Sequence, residues 1–166
     1  MTELMDSSDE TPLRSEVPTF GALLGIDFGT KRIGAAICND DQSIALPLEN
    51  YTRRTRELDA KWLTELVAGY GIRGIVIGLP VHMSGQEGGK AREARAFGQW
   101  AAKLTSRPVV WWDERFSSAV ADMYIEQAGT SKSKRKGRRD QLAAQVILQS
   151  FLEADDRSAE PVDLSR

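Results

Sequence analysis

Three acidic residues occupy places where an acid is costly. Asp27 interrupts the apolar run 23–28, Glu114 stands at the exit of the run that begins at Val109, and Asp140 precedes a stretch carrying Leu142, Val146, Ile147 and Phe151. A carboxylate inside or at the end of a buried element needs a charge partner, hydrogen bonds or a metal ion, so three of them in a short chain suggest one shared cation site. Directly before Asp140, six of the eight residues 132–139 are basic, as a segment that holds a polyanion would be. Hydrolysis of a phosphodiester joins the two features. Two divalent ions about 3.5–4 Å apart activate water and stabilise the leaving oxygen, and they require hard oxygen ligands from rigid elements. Asp and Glu with Mg2+ or Mn2+ meet that requirement; His and Cys do not.

Each residue also has a plainer explanation. Asp140 is placed as an N-cap, the commoner reason for Asp at a helix start, and Glu114 is placed as a solvated residue after a strand. Asp27 is harder to dismiss, because a charge in a central apolar strand must find some partner. Asp113 should face away from Glu114 by strand alternation, and Arg115 either positions a phosphate or pairs with these acids. Charge runs are usually solvated surface, but adjacency to Asp140 favours a role for this one. Trp111 and Trp112 are candidates for base stacking, although at a strand end at least one should be core. His82 reads as a loop residue. Gly89-Lys90-Ala91 lacks the residues of a phosphate loop, and no G-x-S-x-G elbow accompanies His82.

The elements that must position these groups follow from pattern. Strands are expected over 23–28, 33–38 and 43–48 with short turns, an antiparallel meander. Leu58, Trp62, Leu63, Leu66, Val67 and Tyr70 recur at helical spacing, and 74–78 is a wholly apolar strand. A glycine-rich loop, 84–89, leads to a helix with Ala91, Ala94, Phe97, Ala101 and Leu104 on one face. The fifth strand spans 109–112, and a helix capped by Ser117 runs to Gln127. Residues 130–139 are expected as an exposed loop and 140–154 as a buried helix. Strands followed by βαβ alternation give an α/β fold with a mixed sheet and helices on both faces. In the order 3-2-1-4-5, Asp27 on the central strand and Glu114 meet, and Asp140 covers them.

A chain of 166 residues with 41% hydrophobic content supports one domain. We expect it at 20–154, between disordered tails 1–19 and 155–166. Of the formal charge of −2, the tails carry −4 and −2, so the body carries +4 and is mildly basic. Cys38 and His82 are the only residues of their types, which excludes an internal disulfide and any multi-thiolate or two-histidine metal set. With no basic-then-apolar leader and no run of 18 apolar residues, a cytoplasmic protein without membrane contact is expected. Trp100 and the helix after Ser117 are both candidate faces for a homodimer, and the sequence does not choose.

Four segments together resemble the YqgF family, also called RuvX: 27–34 (DFGTKRIG), 78–80 (GLP) followed by Met83-Ser84-Gly85, 113–118 (DERFSS), and Asp140 opening 141–148. The resemblance spans about 21–154. It implies a ribonuclease H-like fold, a five-stranded mixed sheet of order 3-2-1-4-5, and a nuclease trimming the 5′ end of precursor 16S ribosomal RNA, with Holliday-junction resolution on branched DNA as the competing activity. By motif match Asp27, Glu114 and Asp140 take the catalytic and metal-ligand roles for a two-ion site of Mg2+ or Mn2+. Lys31, Arg32, Arg115, Lys132, Lys134, Arg135, Lys136, Arg138 and Arg139 are then the expected nucleic-acid contacts. Phe116, Ser118 and Val81-His82 depart from the commonest family residues, and none of them is an expected ligand. A non-catalytic nucleic-acid-binding module is a further reading. Asp27-x-Gly29-Thr30 also matches the first phosphate motif of actin-like ATPases, which need two such domains.

Overall fold

The computed structural model describes residues 17–82, 84–116 and 132–158, with the backbone alone for 116 and 132–141. Five strands form one sheet of order β3-β2-β1-β4-β5, as expected: β1 (Leu23–Phe28), β2 (Arg32–Cys38), β3 (Ala45–Thr52), β4 (Gly74–Leu79) and β5 (Val109–Asp113). β1 pairs antiparallel with β2 and parallel with β4, which pairs parallel with β5. Helices α1 (Arg56–Gly69) and α2 (Gly89–Thr105) cover one face, and α3 (Lys132–Glu153) covers the other. Both faces of β1 and β4 are thereby dry, which is why their sequences are nearly continuous apolar runs.

β3 lies further along the chain than the expected 43–48. Asn39 Oδ1 accepts the N–H groups of Ser43 and Ile44 (2.9 and 3.0 Å), which holds 43–44 in the turn. Pro47 does not end the strand, because β3 is at the sheet edge and a bulge opposite Ala35 and Ala36 absorbs one residue. The turn from β1 to β2 depends on glycine: a Cβ at Gly29 would lie 2.5 Å from the carbonyl oxygen of Arg32, whose partner is the Gly29 N–H at 2.9 Å.

The larger correction concerns the final helix. The segment 132–139, expected as a loop, is helical, so α3 begins at Lys132 rather than at Asp140. Lys and Arg are good helix formers, and the single glycine within the run, Gly137, costs only about 1 kcal/mol. A charge run speaks against burial, not against helix. The helix expected over 117–127 lies outside the described residues, as do 1–16 and 159–166 of the expected tails. Packing extends past 20–154 at both ends: Val17 is buried beside Leu23 and Leu152, and Arg157 donates to Gln42 Oε1 (2.7 Å) while lying over the Phe151 ring.

Candidate active site

Strand alternation sorts the acids. Leu23, Val76, Val110 and Trp112 pack with Ala144, Ile147 and Leu148 of α3, so the residues in phase with them, Gly25, Asp27, Gly78 and Glu114, lie on the α3 face. Leu24, Ile26, Val109 and Trp111 pack with α1 and α2, which puts Asp113 on the other side, as expected. There the buried Asp113 carboxylate grips Arg115, with Oδ2 2.6 Å from Nη2 and 2.9 Å from Nε. Arg115 is thus paired with one of the acids, Asp113. Both tryptophans are core: Trp111 Nε1 donates to Ala94 O (3.1 Å) and Trp112 Nε1 to Ser150 Oγ (3.0 Å).

Asp27 and Glu114 come together at the carboxyl ends of β1 and β5, where their carboxyl groups share a hydrogen bond. Burial pushes the Glu114 carboxyl up to about 8, and the charge of Asp27 and its hydrogen bond add to the rise. The Asp113 charge contributes as well, while Lys90 opposes it. Two like-charged groups are held in contact, and at neutral pH a proton on Glu114 makes that tolerable.

β4 runs between them, and Gly78 clears the path. A Cβ there would sit 2.6 Å from Glu114 Oε1 and 2.5 Å from Ile147 Cδ1, so the Glu114 side chain crosses the sheet over bare backbone. Gly25 plays the same part for α3, since a Cβ would lie 2.7 Å from Leu148 Cβ and 3.0 Å from Ala144 O. Beyond the end of α3, Arg157 reaches Gln42, whose Nε2 donates to Gly21 O at 2.9 Å just before β1 starts. α3 therefore runs antiparallel to β1, and its earlier turns lead toward Asp27. Asp140 is one helical turn before Ala144 and two before Ile147, on the same stripe by register. Its side chain lies outside the described residues, so its expected convergence with Asp27 and Glu114 rests on helix position alone. Among the described residues, no group of three or more potential metal-ligating side chains is found.

Three contributors were not legible in the sequence. Lys90, exposed at the start of α2, is near enough for its charge to act on Glu114. Gly78 supplies the clearance. Asn50 pairs with Gly34, which pairs with Asp27, so all three share one rung and one face with no side chain between the outer two. The buried Asn50 Oδ1 has no hydrogen-bond partner. An orphaned amide oxygen beside a carboxylate pair is a hard-oxygen set, and such donors suit Mg2+ or Mn2+. Lys31 is exposed in the β1–β2 turn, and Arg32, half-buried, opens β2. Of Lys132, Lys134, Arg135, Lys136, Arg138 and Arg139 the structure gives the helical backbone leading to Asp140.

Residues 21–154 match the sequence profile of the family described as RuvX: Holliday junction resolvase. A "Putative pre-16S rRNA nuclease" of Rhodopirellula baltica is 43% identical over 137 residues, 82% of this chain and 79% of that protein. One of the same name from Rhodobacter capsulatus is 42% identical over 137 residues, 82% of this chain and 86% of its own length. Among solved structures, T. thermophilus RuvC in complex with Holliday junction substrate aligns over 86% of this chain and 99% of its own, with a TM-score of 0.54 at 17% identity. That likeness concerns the fold, and it agrees with the ribonuclease H-like arrangement that the strand order already displays. The chain belongs to the RuvX family.

Proposed function

We propose that the nuclease activity of this family takes, in this chain, the form of metal-dependent hydrolysis at the 5′ end of precursor 16S ribosomal RNA. The observation that carries it is the contact between Asp27 and Glu114 across Gly78: two carboxyl groups aimed at one point from separate strands. Asp27, Glu114 and Asp140 would hold Mg2+ or Mn2+, with the Asn50 amide oxygen beside them. When bound, the ions neutralise phosphate charge and stabilise the attacking and leaving oxygens.

The chain's own groups do the rest. Glu114 would hold a cation only as a carboxylate, so its proton would pass to solvent on loading and the hydrogen-bonded pair would become a ligand pair. Lys31, Arg32 and Lys90 border the pair, and residues 132–139 lead into Asp140, so the phosphate backbone meets cations before it meets carboxylates. Among the described residues no helix is long and apolar enough to cross a membrane.

The names of the relatives favour RNA, and the description of the family favours a four-way DNA junction as a second reading. End-labelled precursor 16S RNA and a synthetic junction, each incubated with Mg2+, Mn2+ or EDTA, separate them. Cleavage of the RNA that needs the ion and is lost in Asp27→Asn is expected. Cleavage of the junction alone selects the second reading, and binding without product from either substrate leaves a non-catalytic module.

A further inference from the structure

On the face of the sheet away from the carboxylates, a cleft of about 440 Å³ opens among the β1–β2 turn, the segment joining β3 to α1, and α2. Its volume is that of a small-molecule site. Asp27 and Phe28 are neighbours in β1 with opposite facings, so the cleft and the carboxylates share one strand end. Its construction is layered. Phe97 stacks under Phe28 (centroids 4.6 Å apart, 27°), and the Arg53 guanidinium covers the other side of Phe28 at 4.8 Å. Arg53 is fixed there by Thr30 O (3.1 Å) and by the buried Asp59, which also accepts from Tyr51 Oη (2.7 Å) and the Arg54 N–H (2.8 Å).

The polar and aromatic groups that remain open are of two kinds. Trp100, half-buried and tilted against Phe97 at 5.5 Å, forms an aromatic wall. Arg54 and Arg56 are exposed at the mouth and flank Thr55, the N-cap of α1. Cations at that end oppose the helix dipole, and a bound anion would reverse the sign of the effect. Between Glu93 and Trp100 on the same stripe of α2 stands Ala96, whose small side chain leaves the space. A flat ring against indole with an anion one sugar away on guanidinium groups is the recognition chemistry of a nucleotide.

We propose that this cleft binds one nucleotide unit, its base against Trp100 and its phosphate between Arg54 and Arg56. Glu93 at the rim accepts from an amino group of the base. The unit comes either from an unpaired stretch of a strand or from a free nucleotide, and the chemistry is the same.

The test uses the full chain in EDTA, titrated by calorimetry and tryptophan fluorescence with AMP, CMP, inorganic phosphate, a single-stranded hexanucleotide and oligoglutamate. The nucleotides or the hexanucleotide bind, and phosphate alone binds about tenfold more weakly, because stacking is lost. Tighter binding of the hexanucleotide identifies a strand; tighter binding of AMP identifies a free nucleotide. Ala96→Leu fills the space from an exposed helical position where Leu costs little, so it folds, and it weakens binding about tenfold or more. Arg54→Ala with Arg56→Ala does the same, while Glu153→Gln, exposed at the far end of α3 on the other face, changes nothing. Affinity unaltered by Ala96→Leu, equal affinity for phosphate alone, or binding of oligoglutamate without nucleotide overturns the proposal. Loss of cleavage has no bearing on these readings, so this proposal and the metal-site proposal fail separately.

Discussion

Removing one carboxyl from the Asp27–Glu114 pair should stabilise the metal-free protein while abolishing its cleavage. Glu114 in the fold holds its proton up to about pH 8, whereas its ordinary value is 4.5. Between those limits the folded state carries a proton the unfolded chain has released, so stability falls as pH rises through the window. At about 1.36 kcal/mol per pH unit, the rise from 4.5 to about 8 sets a ceiling of about 5 kcal/mol. Water reaching a half-buried pair reduces the expected loss to about 2 kcal/mol. Glu114→Gln has no such proton to lose. In urea titrations with EDTA at pH 5 to 9, its curve should be flatter than wild type and should end about 2 kcal/mol above it at pH 9. Asp27→Asn should flatten the curve in part, since burial is the first cause of the rise and survives that change. Adding Mn2+ should raise wild-type stability most at high pH, where the cation no longer competes with the proton, and leave Glu114→Gln nearly unmoved. Parallel pH curves for wild type and Glu114→Gln would refute the shared proton and, with it, the crowding of the two carboxyl groups.

Gly78→Ala places a methyl 2.6 Å from Glu114 Oε1 and 2.5 Å from Ile147 Cδ1, so it should cost about 1–3 kcal/mol in urea denaturation and at least tenfold in cleavage rate. Full activity there would show that Glu114 does not need the β4 backbone bare. Asn50→Ala removes a buried oxygen without a partner; stability should hold within about 1 kcal/mol while the Mn2+ concentration for half-maximal cleavage rises, and an unchanged metal requirement would exclude Asn50 from the site. Asp140→Asn should keep the helix, because position 140 is inside α3 and not its cap, and should lose cleavage, with circular dichroism and product formation as the two readouts. Neutralising Lys134, Arg135 and Lys136 together should weaken RNA binding and lower the slope of log affinity against log salt by about 1 for each phosphate no longer neutralised; an unchanged slope would remove this segment from the interface.

The fold was readable because its signals are local. Apolar runs at 23–28, 74–78 and 109–112 read as strands dry on both faces, and short turns between the first three strands left little choice but a meander. The element most misjudged among the described residues, 132–139, shows where composition misleads. Charge density reports on solvent exposure, whereas helix formation depends on backbone and rotamer freedom, which Lys and Arg retain. Asp140 accordingly changes from a residue that opens a helix to one carried in its interior, and the N-cap explanation for it lapses.

Within the site, what could be read was charge in the wrong place. Asp27 and Glu114 stood out because an apolar strand makes any acid expensive, and each cost points to a partner without naming it. What could not be read was the ground between them. Gly78 looks like one more glycine in GLP until β4 is known to lie between β1 and β5 with its position 78 in phase with Asp27. Asn50 is an ordinary edge-strand residue until the bulge at Ala35 and Ala36 sets its partner as Gly34 and so its face. Without that bulge, the register of β3 would shift by one residue and the amide would turn to the α1 side, where Glu49 now accepts from Trp62 Nε1. A one-residue irregularity in an edge strand thus decides whether a third oxygen donor stands beside the carboxylates.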